Sequence, residues 1–214
     1  MRAVICKELG PLENLSLEEV PTPPLLNGNV RLRVLASGVN YVDGLLIQGK
    51  YQIKPPTPFI PGMEVVGEVI ECSDDVSADL LGKRVLANVG FGGFATEAVV
   101  RADRVINIPD TLSTGQAASF LQSYLTGWFA LTRRAHISVE SSAKKEQWML
   151  VLGAGSGVGL AAVDIGTALG LRVIAAASSQ EKRDLALARG ASAVIDSSSE
   201  DVKERAKEIS GGGV

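Results

Sequence analysis

Residues 148–163 read WMLVLGAGSGVGLAAV, and the order within that stretch decides the fold of the second half of the chain: an apolar run, a glycine-spaced turn, then a small-residue helix. Met149, Leu150, Val151 and Leu152 form the continuous apolar run of a strand covered on both faces of a parallel sheet. Gly153, Gly155, Gly157 and Gly159 let the backbone turn sharply and let a ligand approach it. The helix that follows offers unpaired N–H groups and a positive dipole end, which suit a pyrophosphate. The spacing departs from the usual G-x-G-x-x-G, because the last glycine comes one position early and Leu160 and Ala161 follow it. A glycine match by itself carries little, but its surroundings add to it. LRVIAAA (171–177) is a second buried run and AVID (193–196) a third, with helical segments between them. This is the strand–turn–helix–strand order of a dinucleotide-binding fold; a strand-to-helix turn without a ligand is the plainer alternative.

The end of the second run bears on the type of dinucleotide. A site for NAD usually places Asp or Glu there to hold the ribose 2′-hydroxyl, and that carboxylate repels a 2′-phosphate. Here the run ends in Ser178, Ser179 and Gln180, with no acid at its tip, and Lys182 and Arg183 follow. Hydroxyls and cations of this kind favour NADPH over NADH. Lys182 and Arg183 equally fit an exposed helix face paired with Glu181 and Asp184.

Composition sets wider bounds. The 214 residues, 46% hydrophobic and 21% charged, are ordinary globular usage and long enough for one large or two modest domains. A net charge of −3 argues against nucleic acid or an anionic membrane as the main partner. No apolar stretch reaches the roughly 20 residues of a membrane span, and the N-terminus, which reads as a strand, has no signal-peptide core. Two separated cysteines, Cys6 and Cys72, make no disulfide framework, so a reducing, cytoplasmic setting is expected.

The first half has a different texture. Short valine-rich runs, VRLRVLA (30–36), EVVGEVI (64–70), KRVLA (83–87) and FATEAVV (94–100), are separated by glycine and proline. They predict a β-rich domain with irregular loops, in which PTPP (21–24) and PPTPFIPG (55–62) are rigid extended connectors. Residues 114–131 read as a helix starting near a Ser or Thr cap, and the polar residues 138–147 read as a surface loop.

Together these features resemble the medium-chain dehydrogenase/reductase superfamily, and within it the zinc-free NADPH:quinone oxidoreductases related to ζ-crystallin. The resemblance rests on MRAV (1–4), ASGVNYVD (36–43), GKY (49–51), PGMEVVGEV (61–69), GKRV (82–85), YLTGWFAL (124–131) and the glycine loop, and it runs over essentially the whole chain. It implies an α/β protein with a GroES-like substrate domain over residues 1–122. The first half of a Rossmann NADP-binding domain, strands 1–3, is implied over residues 123–214, with substrate in the cleft between the two. Zinc-dependent relatives carry a cysteine near residues 38–40 and a histidine before the glutamate of a G-H-E motif. Here the corresponding residues are Asn40 and Met63, the only histidine is His136 in a helix-end context, and no C-x-x-C pair exists, so the chain is expected to be metal-free. Without a Lewis acid, hydride transfer suits an acceptor that is already electron-poor, a quinone or enone.

By this resemblance Tyr51 lies at the substrate and nicotinamide end, Asn40 and Asp43 shape that pocket, and Thr126 approaches the nicotinamide. Gly155, Ser156, Gly157 and Val158 attend the pyrophosphate, Ser178 and Lys182 the 2′-phosphate, and Ser197 the adenine end. Each residue of the substrate group also has a plainer reading. Tyr51 fits a turn, Asn40 a loop that satisfies its own backbone, Asp43 the cap of a helix beginning near Gly44, and Thr126 a satisfied helical hydroxyl. Two departures touch affinity and substrate choice: Ser197 stands where the family often has an aromatic or histidine, and Leu45 where bacterial members have a tyrosine.

Strands 4–6 of the usual order 3-2-1-4-5-6 are not expected within these residues. Strand 149–152 is therefore expected as a bare apolar sheet edge, open to pairing with a second copy. That leaves two expectations: an NADPH-dependent quinone or enone reductase, or a catalytically weak truncated homologue that binds nucleotide or a partner.

Overall fold

The computed structural model describes residues 1–138 and 147–214, so most of the loop expected at 138–147 lies outside the described residues. The chain divides into two units, Met1–Leu121 and Gln122–Val214.

In the first unit, β1 (Arg2–Cys6) and β2 (Leu15–Glu19) form an antiparallel ribbon. β3 (Asn29–Ser37), β4 (Glu64–Cys72), β5 (Arg84–Asn88), β6 (Glu97–Arg101) and β7 (Val105–Asn107) form an antiparallel sheet of order β6-β3-β4-β5-β7. Period-two alternation fills one face of that sheet with Val30, Leu32, Val65, Val69, Val85 and Val100. Val66 and Leu86 point the other way, onto Ala117 and Ala118 of the short helix α2 (Thr114–Ala118). Ser113 caps α2 by accepting the Gln116 N–H at 3.3 Å, as a Ser or Thr start predicts. α1 (Tyr41–Ile47) begins three residues before the expected Gly44. Asn40 is its N-cap, and Asp43, inside the first turn, accepts the Asn40 N–H at 2.8 Å.

The helix expected over 114–131 extends to Arg134 but is not uniformly α. Beyond α2, π-helical turns over Leu121–Leu125 and Phe129–Arg134 flank α3 (Thr126–Trp128). The hydroxyls of Thr126 and Thr132 donate to the carbonyls of Gln122 and Trp128, four residues back, at 2.6 and 2.7 Å. Such back-bonding competes with the helical ladder and loosens the winding.

The second unit holds β8 (Trp148–Leu152), β9 (Arg172–Ala177) and β10 (Ala193–Asp196), parallel and in the order β10-β9-β8. α4 (Gly157–Ala168) and α5 (Gln180–Ala188) connect them, and α6 (Val202–Ser210) follows. β9 is buried almost throughout because both faces are covered. Val173 and Ala175 pack with Val163 and Ala186 from α4 and α5, whereas Ile174 and Ala176 pack with Ala206 from α6. This is the first half of a dinucleotide-binding fold, as the three apolar runs predict. Among the described residues, β8 has β9 as its one strand partner.

Candidate active site

In the first unit the loop from β3 into α1 carries Asn40, whose side-chain amide donates to Glu64 Oε1 at 2.9 Å. Glu64 opens β4 and is 1% exposed. Gly38 makes that approach possible: a Cβ there would stand 2.5 Å from Glu64 Oε1 and 2.3 Å from the Ala118 carbonyl oxygen. Asp43 is 3% exposed, and its Oδ1 has no hydrogen-bond partner among the described residues. Burial pushes its carboxyl above the ordinary carboxylate range, opposed by the N–H groups of Asn40 and Gly62. Asn40, Asp43 and Leu45 share a cavity of about 420 Å³ with Val39, Pro61 and Phe94.

Tyr51 is half-buried just beyond Lys50, which lines the same cavity, but does not itself form a wall, and its phenol makes no hydrogen bond among the described residues. A second cavity, about 560 Å³, lies between β1, β2 and the 58–60 connector. Its walls are mostly apolar, with the Lys7–Glu18 ion pair, and it contains none of the expected site residues.

In the second unit the glycine loop is shaped by close approaches. Gly153 has φ +63°, in the left-handed region, and a Cβ on Gly159 would stand 2.3 Å from the Gly153 carbonyl oxygen. Gly159 thus fills the close-packing role of the third glycine, despite the shifted spacing. Ser156 caps α4, accepting the Gly159 N–H at 3.1 Å and donating to the Gly153 carbonyl at 2.9 Å. The N–H groups of Gly157 and Val158, in the first turn, have no intrahelical partner.

A Cβ on Gly155 would meet Lys182 Cγ and Cδ at 2.5 Å, so the lysine stem lies directly against the loop. Lys182 is exposed and makes no ion pair among the described residues. Its neighbour is placed differently. Arg183 Nη1 donates to the Ala177 carbonyl at 3.0 Å and pairs with Asp196 at 3.1 Å, which ties the ends of β9 and β10 together. Arg183 is therefore committed to structure, and among the described residues Lys182 is the cation that lies against the loop. Ser179 is likewise committed, as the cap of α5, while Ser178 and Ser197 stand exposed at the ends of β9 and β10. Thr126 is exposed with its hydroxyl proton on the Gln122 carbonyl, and His136 is exposed just past the helical segment with φ +54°.

Several contacts were not anticipated from the sequence. Glu64 appears there only as a letter of EVVGEVI and PGMEVVGEV, and nothing in those strings shows that it turns inward onto Asn40. The cluster in which Tyr124 and Arg189 both donate to Asp164 Oδ2, at 2.5 and 2.8 Å, has no local signature, because its members are far apart in sequence. Burial, then the Asp164 carboxylate, pushes the Tyr124 phenol above its ordinary value.

Comparison with known proteins accounts for both units. Residues 27–110 match the family described as alcohol dehydrogenase GroES-like domain, and residues 157–214 the family described as zinc-binding dehydrogenase. The bovine (Bos taurus) quinone oxidoreductase-like protein 2 is 38% identical over 213 residues, which are 99% of this chain and 59% of that protein. The chain belongs to the medium-chain dehydrogenases/reductases, and within them it is similar to the quinone oxidoreductases.

Its GroES-like and dinucleotide-fold portions have solved relatives. The quinone oxidoreductase of Thermus thermophilus, whose complex with NADPH is also known, is 38% identical with a TM-score of 0.82, over 98% of this chain and 63% of that one. The Escherichia coli quinone oxidoreductase in complex with NADPH is 29% identical with a TM-score of 0.87, over 99% of this chain and 63% of that one. The chain spans about three-fifths of the length of the curated family members it matches.

Proposed function

We propose that this chain binds NADPH and takes part in zinc-independent hydride transfer to a quinone or another electron-poor enone. The observation that carries the reading is the loop of the second unit. Two open N–H groups at the start of α4, and Lys182 lying along Gly155 with no ion pair among the described residues, fit a phosphorylated dinucleotide. Gly155, Ser156, Gly157 and Val158 would hold the diphosphate, Ser178 and Lys182 the 2′-phosphate, Ser197 the adenosine end and Thr126 the nicotinamide end. The absence of an acid at the tip of β9 supports NADPH over NADH.

The nicotinamide supplies the hydride, and the chain's own task is to bind, orient and stabilise charge. Asn40 has two amide hydrogens. One is spent on Glu64, which fixes the plane of the amide and leaves the second to donate to an acceptor oxygen as negative charge grows there. The Tyr51 phenol, without a hydrogen bond among the described residues, is a second donor. Zinc has little to hold it. The chain has two cysteines and one histidine in all, and Asn40 and Met63 put neither thiolate nor imidazole beside Glu64.

The test is turnover by the purified chain, followed as loss of reduced nicotinamide with a benzoquinone or naphthoquinone acceptor. We expect quinone-dependent oxidation of NADPH, no stoichiometric zinc by elemental analysis, and a loss of about tenfold or more in kcat for Asn40→Ala or Tyr51→Phe. Zinc at one equivalent would overturn the metal-free reading. NADPH binding without turnover would instead favour the second reading, a nucleotide- or partner-binding homologue. The one-sided pairing of β8 among the described residues favours that alternative by offering an edge to a second copy.

A further inference from the structure

We propose that the Ser123 hydroxyl is an additional ligand of the dinucleotide, donating a hydrogen bond to its diphosphate at the first turn of α4. The proposal rests on the NADPH reading above and adds a residue that the motifs do not mark.

Gly157 opens α4, and a Cβ placed on it would lie 3.2 Å from the Ser123 Oγ. Cβ atoms on a helix tilt toward its N-terminus, so this hydroxyl stands on the side of the turn from which the Gly157 and Val158 N–H groups emerge. The other hydroxyl of the loop is already used, because Ser156 Oγ accepts the Gly159 N–H and donates to the Gly153 carbonyl. Ser123 Oγ makes no hydrogen bond among the described residues. One hydroxyl and two amide donors therefore converge on one patch, with no acceptor for them among the described residues.

The residues that follow Ser123 hold it in place. Tyr124 is anchored to Asp164 of α4 at 2.5 Å, with Arg189 on the same oxygen. A Cβ on Gly127 would stand 3.0 Å from Ile165 Cδ1, so the segment lies close against α4 there too. A hydroxyl held in this way is preorganised, and its bond to a phosphate oxygen gains from the negative charge.

The test compares the full chain with Ser123→Ala, Ser123→Thr and Lys182→Ala by equilibrium binding of NADPH, ADP and 2′-AMP. Ser123→Ala is expected to weaken NADPH and ADP about tenfold, since both carry the diphosphate, and to leave 2′-AMP unchanged. Ser123→Thr, which keeps the hydroxyl, should retain most of the affinity. Lys182→Ala should show the complementary pattern, weakening NADPH and 2′-AMP but not ADP. If Ser123→Ala leaves NADPH and ADP unchanged while Lys182→Ala weakens NADPH, the assignment of Ser123 fails and the NADPH reading survives. A loss in Ser123→Ala that Ser123→Thr shares points to packing and also overturns the assignment. If the unaltered chain binds none of the three, the NADPH reading falls and takes this proposal with it.

Discussion

Asp43 is the residue at which local and global demands meet. Its Oδ2 accepts the Asn40 N–H and so helps to start α1 in the right place, yet the carboxyl is almost wholly buried and Oδ1 has no partner among the described residues. Burial raises its pKa, so the native state holds this proton more tightly than the unfolded chain does. The sign follows from linkage. The protonated native form has its full advantage below the unfolded value near pH 4, and that advantage is lost as pH rises through the higher native value. Asp43→Asn keeps an acceptor for the Asn40 N–H and cannot ionise. Denaturant unfolding at a series of pH values should show the variant gaining stability relative to the parent as pH rises from about 4 toward neutrality. A difference that stays constant with pH, or runs the other way, would refute the role given to burial.

The same scale shows what sequence can and cannot reveal. Lys182 and Arg183 look alike in a string of letters, each within reach of a phosphate or of a neighbouring acid. Only the ends of β9 and β10 decide that Arg183 reaches the Ala177 carbonyl and Asp196 while Lys182 lies along Gly155.

Among the elements, the strand–loop–helix from β8 into α4 was the most legible. Met149 and Val151 pack into one apolar cluster and Trp148 and Leu150 into the other, so a strand packed on both faces reads as a continuous apolar run, and the conformations needed at the loop restrict the choice of residue. Gly159 shows why the shifted glycine spacing does not matter: it is placed by its close approach to Gly153, not by a pattern of letters. A Cβ at Gly159 would meet backbone at 2.3 Å, and backbone moves only by displacing the loop. Gly159→Ala should therefore cost about 1–3 kcal/mol of stability. Gly115 in α2 makes the opposite case, since a Cβ there meets nothing within 4 Å among the described residues. Gly115→Ala should be neutral or stabilising, by at most about 1 kcal/mol. Equal effects at the two positions, measured by chemical denaturation, would remove the steric argument. The segment from Leu121 to Arg134 was legible as helical but not in its winding, because its π turns arise where Thr126 and Thr132 bond back to the ladder. Side-chain choices of that kind leave the apolar pattern unchanged.

At the scale of the whole chain, strand order followed from the three apolar runs and the helices between them, because parallel strands joined by helices lie side by side in few arrangements. The consequence is an asymmetric sheet. β9 is flanked on both sides, whereas β8 pairs only with β9 among the described residues. The two ends of β8 differ. The Arg172 guanidinium stands 4.1 Å over the Trp148 ring, covering the start of the strand, but Leu152 at its other end is 68% exposed. An apolar strand with an open side is a template for pairing, and natural edges are commonly blocked by a charge, lysine above all. If a second copy takes this edge, sedimentation should show association of the parent chain that rises with concentration. Leu152→Lys should then shift the chain toward monomer without lowering its unfolding midpoint in dilute solution, since little packing is lost at so exposed a site. A parent chain that stays monomeric over the whole concentration range, or a variant that associates equally well, would mean that β8 is not the surface at which copies of this chain meet.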